Sequence, residues 1–126
     1  MKFKAGDKRV EAELSYGQLI VSGDDEKGFR PYQLLVASVA SCSISVFKRV
    51  LEKKRIVFDA IEVEAEVKRN EKQANRIEEI YLTFKISGEG LKLDQLEKSL
   101  AVSSRNCAMV RSVEGSIDIH EKVEII

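Results

Sequence analysis

The sequence predicts an α+β fold. Three observations carry the prediction. Several short segments alternate polar and apolar residues, which is the period of strands with one wet face. Gly- and Asn-containing turn signals separate those segments. Between them lies one stretch, Pro31 to Phe47, with no charged residue, in a chain where 33% of residues are charged. That stretch opens on the only proline and has no helix breaker before Arg55.

The elements follow in order. Residues 8–14 alternate polar and apolar, Ser15-Tyr16-Gly17 signals a turn, and residues 18–22 return, so the two segments pair as a hairpin. Gly23-Asp24-Asp25-Glu26-Lys27-Gly28 is a polar loop. Pro31 suits the first turn of a helix, where its missing N–H has no partner to lose. The first half of that helix is small or apolar nearly all round. Helical spacing stacks Leu35, Val39, Cys42, Val46 and Val50 on one side, which points Cys42 toward the core. The second half is amphipathic, with Phe47, Val50 and Leu51 on one face. Lys53-Lys54-Arg55 fall in its last turn, where cations favour the carbonyl end of the dipole; a solvated helix end is preferred there over an anion site.

Ile61 to Lys68 alternates strictly, and its Glu62-Glu64-Glu66 row reads as a solvated sheet face. Residues 70–75 form a polar turn. The return strand sets Ile80, Leu82, Phe84 and Ile86 on one face. Asp94-Gln95-Leu96-Glu97 resembles a capping box with Asp94 as N-cap, opening a helix to about Arg105. Cys107 lies just beyond. In the last strand Ile117, Ile119, Val123 and Ile125 alternate with Asp118, His120, Lys122 and Glu124, so His120 points to solvent. The order is β-β-α-β-β-α-β, with a long buried central helix. So few elements cannot wrap such a helix alone, which predicts a homodimer.

Composition sets the outer bounds. The 126 residues carry 21 basic and 21 acidic side chains, a formal net charge of zero. That length suits a single domain, 1–126. The charge balance argues against a nucleic-acid binder, which needs a basic excess against phosphate. The N-terminus has no apolar signal-peptide core, so a cytoplasmic setting is expected. The uncharged segment contains Gln33 and several serines, and reads as a core helix rather than a membrane span. Two cysteines and one histidine give poor support for a metal site, and no nucleotide-binding motif is present, so no cofactor is expected.

The cysteines are the chemically interesting pair. A buried cysteine usually behaves as a small hydrophobe. A nucleophilic one needs a cation or helix N-terminus to lower its pKa, and mid-helix the dipole gives Cys42 little. Arg9, Arg30 and Arg111 are candidate cations. If the two helices pack together, Cys42 and Cys107 could come within disulfide range.

Arg30-Pro31-Tyr32-Gln33-Leu34-Leu35-Val36-Ala37-Ser38-Val39-Ala40-Ser41-Cys42 resembles the central-helix motif of the OsmC/Ohr family, the osmotically inducible and organic-hydroperoxide-resistance proteins. Asn106 to Val113 is similar to that family's second cysteine motif. The resemblance implies an intertwined homodimer and a thiol peroxidase active in stress response. It would make Cys42 the peroxidatic thiolate acting on a small organic hydroperoxide, and Cys107 the resolving thiol, with a dithiol as reductant. The catalytic branches carry Glu directly after the motif proline, where Tyr32 stands here, followed by Gln33. Their second cysteine usually precedes Pro, here Ala108. The rival readings are a non-enzymatic dimer that holds a small apolar ligand and a thiol redox sensor.

Overall fold

A computed structural model describes residues 1–126. It holds six strands and three helices: β1 Phe3–Gly6, β2 Arg9–Glu13, β3 Gln18–Val21, α1 Pro31–Lys53, β4 Ala60–Asn70, β5 Arg76–Ser87, α2 Leu93–Arg105, α3 Ala108–Val113 and β6 Asp118–Ile125. The class is α+β, as the hydrophobic periodicities require. Two elements had no counterpart in the sequence reading: the short first strand and the one-and-a-half turns of α3. Two compact units divide the chain, Met1–Ala37 and Ser38–Ile126.

The first unit is an antiparallel meander, β1-β2-β3, with Ala12 opposite both Phe3 and Leu19. The predicted 8–14/18–22 hairpin is its β2–β3 pair. After β3 the polar loop folds back. Phe29 N–H donates to the Ile20 carbonyl at 2.9 Å and Ser22 N–H to the Phe29 carbonyl at 3.0 Å. Gly28 is needed at this return, because a Cβ there would lie 2.9 Å from the Ile20 carbonyl oxygen. The Ser22 hydroxyl donates to the Lys8 carbonyl at 2.7 Å and accepts from Asp24 N–H at 3.1 Å, which ties the loop to the sheet.

In the second unit β4 and β5 form a long antiparallel hairpin, and β6 joins the other side of β5 in parallel. The tip turns through a 3-10 segment, Glu71–Gln73, with Ala74 and Asn75 left-handed at φ 57° and 58°. Ile80, Leu82, Phe84 and Ile86 are buried as their spacing demanded. Behind them sit Phe47 and Leu51 of α1, both wholly buried, with the Phe47 and Phe84 rings edge-on at 5.2 Å. Leu96 and Leu100 of α2 complete this core.

Helix α1 is long and apolar enough, on length and composition, to cross a membrane. In the chain one of its sides is buried: Val36, Val39, Ser43, Val46, Phe47 and Leu51. Of the row Leu35, Val39, Cys42, Val46 and Val50 expected at the core, Val39 and Val46 are buried, whereas Leu35, Cys42 and Val50 are half-buried at the edge of that stripe. Gln33, Ala37, Ser38, Ser41 and Ser45 remain exposed. The predicted capping box also fails in detail. Lys92 occupies the N-cap of α2 without a side-chain cap, and Asp94 sits inside the first turn, where its charge still favours the helix N-terminus.

Candidate functional site

Cys42 and Cys107 meet in the second unit. Cys42 rides on α1, half-buried at the margin of the packed stripe; Cys107 is completely buried. The chain brings Cys107 there by a tight reversal after α2. Asn106 N–H donates to the Ser103 carbonyl at 3.1 Å, and Cys107 becomes the N-cap of α3. Arg111 N–H closes the first turn of α3 on the Cys107 carbonyl at 3.0 Å. The first amides of α3 thereby have no helical carbonyl to bond and are left for Cys42.

The two thiols differ in kind. The Cys42 thiol is held below the ordinary thiol range, first by the backbone N–H of Met109, then by a hydrogen bond from the Cys107 thiol, against the opposing effect of burial. The Ala108 amide and the Arg49 charge lower it further. Burial pushes the Cys107 thiol up, and its proximity to Cys42 pushes the same way. One sulfur is set to carry negative charge and its neighbour to keep a proton.

Among the arginines considered from sequence, Arg111 Nε pairs with Glu114 at 3.1 Å, Arg9 pairs with Glu11, and the Arg30 guanidinium lies 4.8 Å over the Tyr32 ring. The cation whose field bears on Cys42 is Arg49. Its signal was present in the sequence: seven residues past Cys42 is two helical turns, hence the same side of α1. The α3 amides had no such signal, because a six-residue helix leaves too short a period to read.

A second polar contact lies one residue from Cys42. The Ser43 hydroxyl, fully buried, donates to Glu121 Oε2 at 2.6 Å. Glu121 belongs to the inward row of β6, beside Leu82 and between Ile119 and Val123, and its Oε1 is buried with no donor. His120 takes the outward row as expected, but it is partnered: Nε2 lies 3.1 Å from Glu79 Oε1 and the ring stacks on Tyr81 at 4.5 Å.

A long helix laid on a three-stranded sheet, with a low-pKa thiol on the helix facing a buried thiol on the next layer, defines a class of small two-thiol α+β proteins. Residues 23–122 match the OsmC-like protein family, and the chain belongs to that family. Its sequence is 28% identical over 94 residues to the organic hydroperoxide resistance protein OhrA of Bacillus subtilis, a match that covers 75% of this chain and 66% of OhrA. The chain thus spans just under two thirds of that curated relative. Its structure is similar to that of a hypothetical protein from Aquifex aeolicus, with a TM-score of 0.87, 25% identity, and 99% and 93% of the two chains covered. It also resembles an organic hydroperoxide resistance protein OsmC from Legionella pneumophila, with a TM-score of 0.78, 21% identity, and 98% and 93% coverage.

Proposed function

We propose that this chain is a thiol-dependent peroxidase that reduces organic hydroperoxides through Cys42 and Cys107. The observation that carries the reading is the pairing itself: two free thiols share a hydrogen bond, one biased toward thiolate and the other toward thiol. The resemblance to OhrA supports the choice of substrate class.

In this reading the Cys42 thiolate attacks the terminal oxygen of R–O–OH. The S–O bond forms and the O–O bond breaks. RO⁻ leaves and takes a proton to become the alcohol, so the sulfur is oxidised by two electrons to the sulfenic acid and the peroxide is reduced by two. The Cys107 sulfur then attacks Cys42 Sγ. A disulfide forms, and the hydroxyl leaves with the Cys107 proton as water. A dithiol reductant returns two electrons and two protons by exchange and is itself oxidised to a disulfide. The Met109 and Ala108 amides and Arg49 stabilise the thiolate, so the reading needs no carboxylate at Tyr32 or Gln33.

The reading treats residues 1–126 as one domain, which the family match across the boundary between the compact units supports. It sets the protein in the cytoplasm, where dithiol reductants are at hand. It also pairs two copies, and the exposed small-residue side of α1 supports that pairing.

Organic hydroperoxide consumption with a dithiol reductant tests it. The native chain should turn over, and Cys42→Ser should fall to background. Cys107→Ala should consume about one equivalent and stop. A native chain that consumes no hydroperoxide, with both thiols resistant to alkylation, overturns the reading in favour of a binding protein.

A further inference from the structure

One inward-facing charged group near Cys42 takes no part in the thiol chemistry. Glu121 sits in the inward row of β6, opposite Leu82 of β5, and its Oε2 accepts from the fully buried Ser43 hydroxyl at 2.6 Å. Cys42 and Ser43 are neighbours on α1, so their side chains leave the helix about 100° apart. Both reach the same stretch of chain. The Ala108 and Met109 amides of α3 hold Cys42, and Glu121 of β6 holds Ser43. Only residues 114–117 separate α3 from β6. That link is tight: the Ser116 and Ile117 amides both donate to the Val113 carbonyl, at 3.0 and 2.9 Å, and Ile117 is buried. The layer over β6 is not close-packed at this level. A cavity of about 510 Å³ opens between α2 and β6, with Leu100, Ala101, Ile119, Glu121 and Val123 among its walls. The fixed point between helix and strand is therefore the polar bond.

We propose that Ser43 and Glu121 form a positioning pair, whose bond locks the rotation of α1 against the Cys107–Glu121 segment and so keeps Cys42 Sγ on the α3 amides. This deepens the peroxidase reading and rests on it for turnover only. A side-chain sulfur lies about 5 Å from the helix axis, so a turn of about 10° carries it about 0.9 Å. Such a shift spoils an amide–sulfur hydrogen bond, which weakens steeply as it loses alignment. Two directional bonds from adjacent residues, about 100° apart, oppose that turn, and one bond alone does not. Apolar burial of the same helix is non-directional and fixes its rotation less sharply. The titratable groups that bear on Cys42 are Cys107 and Arg49, and neither is changed when Ser43 is replaced.

The test reads the pH midpoint of Cys42 alkylation by iodoacetamide, with urea unfolding followed in parallel. Ser43→Ala should raise the midpoint by about half a unit, a roughly threefold loss of thiolate at pH values below it. Ser43→Ala with Glu121→Leu should regain stability yet keep the raised midpoint, because the apolar pair packs without fixing rotation. That double variant also decides the matter where the single change does not fold. Glu121→Leu alone should raise the midpoint as Ser43→Ala does. Glu121→Gln, which keeps a carbonyl acceptor for Ser43, should rescue it. Ile86→Val, a core truncation four residues along β5 from Leu82, should lose stability with the midpoint unmoved. Turnover of an organic hydroperoxide should fall in kcat/KM by about the same threefold factor in Ser43→Ala and in the double variant. A native chain without turnover overturns the chemistry and leaves the alkylation readout to judge the pair. A native midpoint in Ser43→Ala or in the double variant makes the bond merely structural and overturns the inference. A midpoint lowered in Glu121→Gln overturns it too, because removal of a carboxylate charge, not geometry, then governs the thiol.

Discussion

At the scale of single residues, the difference in acidity between Cys42 and Cys107 comes largely from neighbours that the sequence keeps far apart. Sequence supplied both cysteines, since their types and positions are plain. It did not supply the amides of Ala108 and Met109, because any residue has an amide and only the α2–α3 reversal turns these two toward Cys42. The alkylation rate of Cys42 as a function of pH should have its midpoint below that of an ordinary thiol, with Cys107 unreactive in the folded chain. In Cys107→Ala the Cys42 midpoint should rise, because a hydrogen bond to the thiolate is lost. Mass analysis after timed alkylation reads both, and an unshifted midpoint in Cys107→Ala would remove the coupling. The signs for stability are opposite. The depressed Cys42 pKa stabilises the fold above the unfolded thiol value, and this contribution is lost as pH falls through the lower folded value. The raised Cys107 pKa stabilises below the unfolded value, and that contribution is lost as pH rises through the higher folded one.

At the scale of elements, α1 and β6 show how far periodicity reaches. Alternation identified β6 and placed His120 outward, but it passed over Glu121, which shares the inward row with Ile119 and Val123. A charge in an apolar row looks like a lapse of pattern until the partner is seen across the layer, and Ser43 on α1 is that partner. The bond pins α1 to the sheet one residue from Cys42. Ser43→Ala should destabilise the chain by about 1.5–3 kcal/mol, because Glu121 is then left without its donor. Ser43→Ala with Glu121→Leu should recover most of that loss, since an apolar pair of similar bulk removes the need to desolvate a carboxylate. Urea melts of the four-member cycle measure it, and simple additivity of the two single changes would show that the bond carries no coupling. The rotation of α1 was legible in part: Val39, Val46, Phe47 and Leu51 are buried as their spacing predicted, whereas Leu35, Cys42 and Val50 lie at the margin.

At the scale of the whole molecule, the uncharged segment is only partly accounted for inside one chain. Gln33, Ala37, Ser38, Ser41 and Ser45 form an exposed run of small or uncharged side chains on a helix whose other side is core. Such a surface suits close approach of a second helix, and light scattering at micromolar concentration should give the mass of a dimer. Ser41→Arg should shift it toward monomer by placing a charge in that contact. A native chain that stays monomeric would set the pairing aside.

The sequence by itself determined the class of fold, most element boundaries, the buried face of β5 and the identity of the two thiols. Those are local properties: periodicity, turn chemistry and residue type survive in any stretch of ten residues. The tertiary structure alone decided which amides hold Cys42, where Glu121 finds its donor, and that the basic end of α1 borders an apolar cleft. Each of these joins groups from separate elements, and their energies depend on distance and enclosure, which no local pattern encodes.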